Sequence, residues 1–459
     1  MLNKLKNKKV LVLGLGIEGL ATYKFLRKLF PKKIIGLADK LQLHQLNTKL
    51  GKLIKQDKYV KLHLGSKYLK NISSYNIIIK SPGIPYNQEI SKISKQVEIT
   101  SQTKIFFNNC TANIIGITGT KGKGTTTSLI YHIFKIAKKN VFLAGNIGTP
   151  MLPLLSKLKK DDLVILELSS HQLQNLNQSP NTAVYLNFFT EHLDHFSNTK
   201  EYARSKSNVT KYQSSKNWLV YNVDDPEVQK IAAQSKAKKI SYSLKGTETD
   251  IYIKNNYIYY QTSPITPITK IPLIGRFNLA NVMAAVGISK IYDIDDKTIC
   301  SAIKTFKNLP HRLELVGNFN GISFYNDSQG THPRAVIAAL KSMPKVSTLI
   351  CGGYDRGGVS YKQLGKALAK KKNVQTLIFF PTTGQLIWKA VKKNLSNSPN
   401  PPKHFFVDNM KDAVKLAYQH TPKNKICLLS PASASFGIFK NYTDRGNQYK
   451  KLVRSLAKN

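Results

Sequence analysis

A chain of 459 residues, 41% hydrophobic and 21% charged, has apolar mass for packed cores and length for roughly two to four domains, which excludes wholesale disorder. Its four cysteines, Cys110, Cys300, Cys351 and Cys427, are scattered with no CxxC pair; this excludes a disulfide scaffold and a zinc ribbon and fits a reducing compartment. The formal net charge of +45 would suit a nucleic-acid surface, but arginine, the better residue for forked phosphate and base contacts, stands at only eight positions, and lysines spread along the chain make up the rest. The charge therefore reads as compositional: a salt-sensitive surface that attracts anionic substrates, with no nucleic-acid partner expected.

No apolar run reaches the roughly 18 residues of a membrane span, so none is expected. The start imitates a signal peptide, with lysines ahead of Val10–Leu13, but glycines follow at once and no small-residue cleavage site appears. It reads as the first strand of a cytoplasmic protein. Further short apolar runs follow at Ile77–Ile79, Ile114–Ile117, Leu163–Leu166, Ala183–Leu186, Thr348–Cys351, Leu377–Phe380 and Ile426–Leu429, many separated by helix-like stretches. Continuous runs of this kind are the pattern of buried parallel strands, so the fold class expected is α/β. In such sheets ligands bind beyond the carboxyl ends of the strands. Three blocks are expected, 1–102, 103–308 and 309–459, with Pro310 and Pro333 flanking the start of the last and Ser396–Pro402 a polar loop inside it.

The first strand, read as Lys9–Leu13, runs into Gly14-Leu15-Gly16-Ile17-Glu18-Gly19. A helix should follow with Leu20, Tyr23, Leu26 and Phe30 near one face, and a second strand, Ile34–Leu37, ends at Asp39. This is a dinucleotide fingerprint in its usual context: the glycines let backbone approach phosphate, the helix N-terminus favours an anion, and Asp39 is placed for a ribose or base. A nicotinamide or flavin dehydrogenase, another nucleotide, or a structural turn all fit this loop alone. Glu18 speaks against ordinary pyrophosphate binding, since it sets a carboxylate at the anion-binding turn. The later loop Ser81-Pro82-Gly83-Ile84-Pro85 reads by itself as a proline-fixed turn.

The second glycine loop follows Ile114–Ile117. It is Thr118-Gly119-Thr120-Lys121-Gly122-Lys123-Gly124-Thr125-Thr126-Thr127, with a helix expected from about Thr126 to Lys138. Backbone amides of such a loop cradle phosphates and a lysine reaches the terminal ones. The strict eight-residue P-loop fails at both ends, with Ile117 at the first glycine position and Gly124 at the Ser/Thr position. Triphosphate binding is still the expectation. Two nucleotide loops on one chain point to one nucleotide that is spent and one that is carried.

An ordered series of motifs then resembles the Mur ligases over essentially the whole chain. After the two loops and Ser81–Ile84 come Gly145–Gly148, Glu167–Leu173, His192–Phe196, Tyr202–Lys206, Gly275–Asn281, His311–Glu314, Asn326–Ser328, Gly352–Gly357 and Ser430–Phe439. The resemblance implies three α/β domains: an N-terminal Rossmann-like domain for a UDP-linked substrate, a central P-loop ATPase domain with a mainly parallel sheet, and a C-terminal Rossmann-like domain for the incoming amino acid. It implies an active site where the three meet, gated by domain closure. Within the family, Gly145–Gly148, Glu167–Leu173 and Asn326–Ser328 favour addition of D-glutamate to UDP-N-acetylmuramoyl-L-alanine. ATP would first phosphorylate the substrate carboxylate, and the amine would then displace phosphate. A Mur-type ligase with another acceptor and a folylpolyglutamate synthase-like ligase are the neighbouring readings; a basic nucleic-acid-binding protein is the reading from another class.

The same resemblance implies roles for single residues. Gly119, Thr120, Lys121, Gly122, Lys123, Gly124, Thr125 and Thr126 would hold ATP, with Asn281, Arg312 and Asp327 around its adenosine and phosphates. Glu167, His192, Lys206 and Thr125 would hold magnesium, two ions in all, with Lys206 carbamylated. Gly14, Gly16, Ile17, Glu18, Asp39, Ser81, Pro82, Gly83, Asn146, Gln172 and His192 would hold the UDP substrate. Thr331, Arg356, Ser435 and Phe439 would hold the amino acid, and the protein is expected to be a monomer. Five positions depart from the family pattern: Gly124 for Ser/Thr, Glu191 for Asp, Phe277 for His in the GxHN motif that reads Gly275-Arg276-Phe277-Asn278, Gln329 for Lys and Gly437 for Asp. The last two touch the amino-acid pocket.

Overall fold

The computed structural model describes residues 2–46, 48–192, 195–395 and 400–457. Leu193 and Asp194 of the His192–Phe196 motif lie outside the described residues, as do 396–399 of the Pro-containing loop. The chain forms two compact units: Met1–Lys270 with Ala280–Thr305, and Ile271–Leu279 with Phe306–Asn459.

The first unit holds two sheets. One is wholly parallel, with β1 (Val10–Leu13), β2 (Ile35–Asp39), β3 (Val60–Leu64), β4 (Ile77–Lys80) and β5 (Glu98–Thr100) in the order β3-β2-β1-β4-β5. Every residue of β1, β2 and β4 is buried, the condition that an uninterrupted apolar run satisfies. The strand order reverses between β1 and β4. The glycine loop after β1 and the Ser81 loop after β4 therefore open side by side at a topological switch point. The helix Ile17–Leu29 lays Tyr23 and Leu26 into this core, as the spacing predicts.

The second sheet comprises β6 (Asn113–Thr118), β7 (Val141–Gly145), β8 (Leu163–Glu167), β9 (Thr182–Tyr185), β10 (Trp218–Asn222), β11 (Lys238–Tyr242), β12 (Ile251–Lys254), β13 (Tyr257–Tyr260) and β14 (Ser263–Pro267). Its order is β14-β13-β12-β11-β10-β9-β6-β8-β7, parallel from β7 to β12 with an antiparallel edge formed by β13 and β14. The strand read as Ala183–Leu186 sits one residue earlier, its pairing with β6 ending at Tyr185 opposite Thr118. The helix after the second glycine loop is Lys123–Ile136, three residues ahead of the expected start. Gly122, at φ +88°, is its N-cap, so the turn completes at the glycine and the lysine is already helical.

The second unit holds β15 (Glu314–Phe319), β16 (Ile322–Asn326), β17 (Val346–Gly352), β18 (Thr376–Phe380), β19 (Lys403–Phe406) and β20 (Ile426–Leu429), ordered β15-β16-β20-β17-β18-β19. All pairs are parallel except the β15–β16 hairpin. All seven residues of β17 are buried, and each large aliphatic among them contributes about 1.5–3 kcal/mol by leaving water. Among the described residues no helix is long and apolar enough to cross a membrane.

Candidate active site

In the first unit, β6 delivers the chain into the second glycine loop between β8 and β9. Thr118 Oγ1 donates to Leu168 O at 2.9 Å, fixing the loop's entrance to the end of β8. Asn187, just past β9, holds the loop itself: its Oδ1 accepts from Thr120 N at 3.1 Å and Lys121 N at 2.9 Å, and its Nδ2 donates to Lys121 O at 3.0 Å. Gly122 packs so closely on Asn281 that a Cβ there would overlap the amide oxygen. Two expected ATP residues far apart in sequence are thus in contact. Thr125 is buried at the helix start, and Thr126 Oγ1 is buried with no hydrogen-bond partner among the described residues.

Two ammonium groups converge on one carbonyl. Lys123 Nζ donates to Gly119 O at 3.0 Å and Thr120 O at 3.1 Å, and Lys206 Nζ donates to Gly119 O at 2.8 Å. Lys206 lies on the helix Thr199–Ser207 and is 1% exposed. Burial holds its pKa well below the usual lysine range; Lys123 pushes the same way, and Glu191 and Glu167 oppose it. Glu167 ends β8, where Asn146 Nδ2 donates to its Oε1 at 2.9 Å. Its Oε2 is buried without a hydrogen-bond partner among the described residues. A buried carboxylate oxygen lacking a donor is the fit expected of a cation ligand. Among the described residues no group of three or more His, Cys, Asp or Glu is arranged to hold a metal. Lys121 reaches out to Glu191 at 2.6 Å.

His192 is exposed, at φ +59°, and joins a ring cluster that the sequence reading missed. The His171 ring lies 5.0 Å from that of His192 and 4.1 Å from that of His195. Burial, with His195 and His192 adding to it, pushes the His171 pKa down to about 3, so this imidazole is neutral. Its neighbour Gln172 is buried, with its side chain closing a capping box on Ser169.

The first glycine loop is braced by Asp39. Its Oδ2 accepts from Leu15 N at 2.6 Å and its Oδ1 from Leu41 N at 2.9 Å, so the carboxylate holds the loop in place. Ser81 Oγ donates to Gly14 O at 2.7 Å, tying the two loops at the switch point. Gly16, Ile17 and Gly83 line an open lip: Ile17 is 84% exposed, and a Cβ on either glycine would meet nothing. Pro82 follows Ser81 there, half-buried. Glu18 faces the other way. Its Oε1 accepts from Gln172 Nε2 at 2.6 Å, bringing the first loop against the helix Ser170–Leu173 after β8.

In the second unit, Asp327 follows β16 and is buried; Ser430 Oγ donates to its Oδ2 at 2.7 Å. Burial pushes its pKa up to about 7, against the pull of Ser430, Leu313 N, Arg312 and Arg445. Arg445, absent from the sequence reading, is fully buried. It donates to Ser328 O at 2.9 Å, Ser328 Oγ at 3.0 Å, and the carbonyls of Ser433 and Ala434 at 3.2 Å. It thereby clamps the turn that carries Thr331 to the loop that carries Ser435. Thr331 and Arg356 are exposed, and the Arg356 guanidinium sits 5.4 Å over the Phe436 ring. Phe439, expected at the amino-acid pocket, is 5% exposed and packs edge-on against Phe380 in the core; Phe436 is the aromatic that faces solvent.

Residues 117–289 match the family described as Mur ligase middle domain, and residues 311–433 match Mur ligase, glutamate ligase domain. The chain is 35% identical to the UDP-N-acetylmuramoylalanine–D-glutamate ligase of Acetivibrio thermocellus over 99% of this chain and 97% of that one. It is 33% identical to the ligase of the same name from Bacillus mycoides, over 98% of each. Among solved structures, the UDP-N-acetylmuramate–alanine ligase of Thermotoga maritima aligns with a TM-score of 0.61 at 15% identity, covering 98% of this chain and 100% of that one. The MurF ligase of Thermotoga maritima, solved in complex with ADP, aligns with a TM-score of 0.58 at 16% identity, covering 100% and 97%. The sheets, the loops at their carboxyl ends and the end-to-end similarity lead to one statement: the chain belongs to the Mur ligase family.

Proposed function

We propose that this chain is an ATP-dependent ligase that joins D-glutamate to UDP-N-acetylmuramoyl-L-alanine in the synthesis of peptidoglycan precursors. The names of its relatives support the substrates. The observation that carries the chemistry is the convergence of Lys123 and Lys206 on Gly119 O, with Glu167 close enough to act on Lys206. The proposed division is a UDP-substrate domain at 1–102, an ATP domain at 103–308 and an amino-acid domain at 309–459.

In this reading the amides of the second glycine loop and Lys123 hold the β- and γ-phosphates, and Lys123 exchanges its two carbonyl partners for phosphate oxygens. A substrate carboxylate oxygen attacks the γ-phosphorus, the bond to ADP breaks, and an acyl phosphate forms. The D-glutamate amine then attacks the acyl carbon, loses a proton and expels phosphate. Both steps gather negative charge, so fixed positive charge and in-line positioning supply the acceleration. Glu167, Thr125, His192 and carbamylated Lys206 would hold two magnesium ions, which when bound offset the charge between the phosphates and the attacking carboxylate. Burial favours the neutral amine of Lys206, the form that adds carbon dioxide. Carbamylation puts an anion beside Lys123 in place of that amine, so the two side chains attract. Asn281, Arg312 and Asp327 are assigned to ATP. Gly14, Gly16, Ile17, Glu18, Asp39, Ser81, Pro82, Gly83, Asn146, Gln172 and His192 are assigned to the site of the UDP substrate. Thr331, Arg356, Ser435 and Phe439 are assigned to D-glutamate. We also propose a cytoplasmic monomer, to be checked by sedimentation at the mass of one chain.

The test is ADP release with UDP-N-acetylmuramoyl-L-alanine and, in turn, D-glutamate, L-glutamate, lysine and glycine. Release that depends on D-glutamate supports the assignment. Release with another acceptor while D-glutamate is inert overturns it.

A further inference from the structure

Glu18 is a carboxylate at a turn otherwise built for an anion. It stands in the first turn of the helix Ile17–Leu29, where the helix dipole favours negative charge. Its Oε1 holds the amide of Gln172 at 2.6 Å, and its Oε2 is buried with no hydrogen-bond partner among the described residues. The countercharge that acts on it is Lys80, the last residue of β4. That buried ammonium reaches Ile84 O at 2.5 Å and Ser81 O at 3.3 Å and lies 4.9 Å from the Tyr86 ring. Burial raises Glu18 to about 6 and lowers Lys80 to about 8, and each holds the other toward its charged form. A helix N-terminus, a side-chain amide and an ammonium are three groups that would draw a diphosphate; one protein carboxylate stands in the first turn of that helix, bonds the amide, and feels the ammonium's charge.

We propose that Glu18 is a charge gate on the first glycine loop: it occupies the Gln172 amide and the Lys80 charge in the free protein, and a UDP-linked substrate binds only by displacing it. The gate sets affinity for the diphosphate and releases a side-chain tie between the first glycine loop and the helix Ser170–Leu173 when the substrate enters. This inference rests on the UDP-substrate reading of that loop.

The experiment is calorimetric binding of UDP and of UDP-N-acetylmuramoyl-L-alanine to the full chain and to Glu18→Gln, Lys80→Met and the double variant, with thermal melting as the fold check. Gln keeps the size and the acceptor for Gln172 but lacks the charge. Glu18→Gln should tighten both ligands by about tenfold, the scale of one desolvated charge–charge term. Lys80→Met should weaken both several-fold, and the two changes should be non-additive in the double variant, as for charges that act on one another. If Lys80→Met fails to fold, Glu18→Gln decides alone. Unchanged or weaker binding by Glu18→Gln, with the parent protein binding both ligands, overturns the gate and leaves the UDP-substrate reading standing. Absence of binding by the parent protein overturns that reading, and the gate with it.

Discussion

Replacing Gly122 with alanine tests the glycine loop at the point where backbone and packing both demand glycine. The residue sits at φ +88°, where a Cβ costs about 1–2 kcal/mol. The new methyl would also come inside the 3.0 Å that Cβ atoms essentially never breach at Asn281 Oδ1, with Cγ at 3.2 Å and Nδ2 at 3.4 Å behind it. Asn281 is buried, 4% exposed, so relief should come chiefly from separating the loop and the helix Arg276–Ile291. Together the two effects should cost about 2–3 kcal/mol, a fall of several degrees in melting temperature. The Michaelis constant for ATP should rise at least roughly tenfold, since an ångström of misplacement in a phosphate cradle is costly. Adding Asn281→Ala should return part of the stability but not the ATP affinity, because it removes the overlap and leaves the backbone term. Gly122→Ala with unchanged melting and unchanged ATP affinity would refute this account of the loop.

Other expectations follow from the same geometry. Lys123→Ala should abolish ligation while circular dichroism and melting stay near the parent values; near-normal turnover would remove the lysine from phosphate binding. Lys206→Ala should lose most activity, and added short carboxylic acids should restore part of it by standing in for the carbamate; indifference to both would end the carbamate proposal. Asp327 titrates near 7 in the folded chain against 3.8 for the ordinary group, so the folded state holds its proton more tightly than the unfolded state does. Its contribution to stability is therefore present at low pH and lost as pH rises from about 4 to 7, by up to about 4 kcal/mol. Urea unfolding of the parent and of Asp327→Asn at pH 5 and pH 8 should show the variant gaining relative stability at the higher pH; a difference that does not move with pH contradicts the burial argument.

Much of the fold was legible because buried parallel strands must be apolar throughout. Val10–Leu13, Ile77–Lys80 and Leu163–Glu167 announce themselves, and the glycine loops that follow β1 and β6 mark the carboxyl ends where ligands bind. Less visible are Val60–Leu64, Lys238–Tyr242 and Lys403–Phe406, whose exposed lysines and interleaved histidines break the apolar run, and the tyrosine-rich hairpin Ile251–Tyr260, which extends a sheet edge. In the site, residues within a glycine loop could be named from spacing. Asn187, Lys80, His171 and Arg445 could not, because each acts through partners 60 or more residues away, on another loop or another sheet, or through a ring neighbour about 20 residues on. The helix beginning at Lys123 rather than Thr126 has the same origin: only the left-handed turn at Gly122 sets where the first helical residue falls.

The central claim is that the loop Gly119–Thr126 presents the terminal phosphoryl group of ATP to a carboxylate. The most direct measurement starts from UDP-N-acetylmuramoyl-L-alanine carrying heavy oxygen in both carboxylate positions, followed by mass analysis of the inorganic phosphate released with the product. Transfer through an acyl phosphate predicts one heavy oxygen in each phosphate formed. Phosphate that carries none, at full yield of the amide product, would contradict the account.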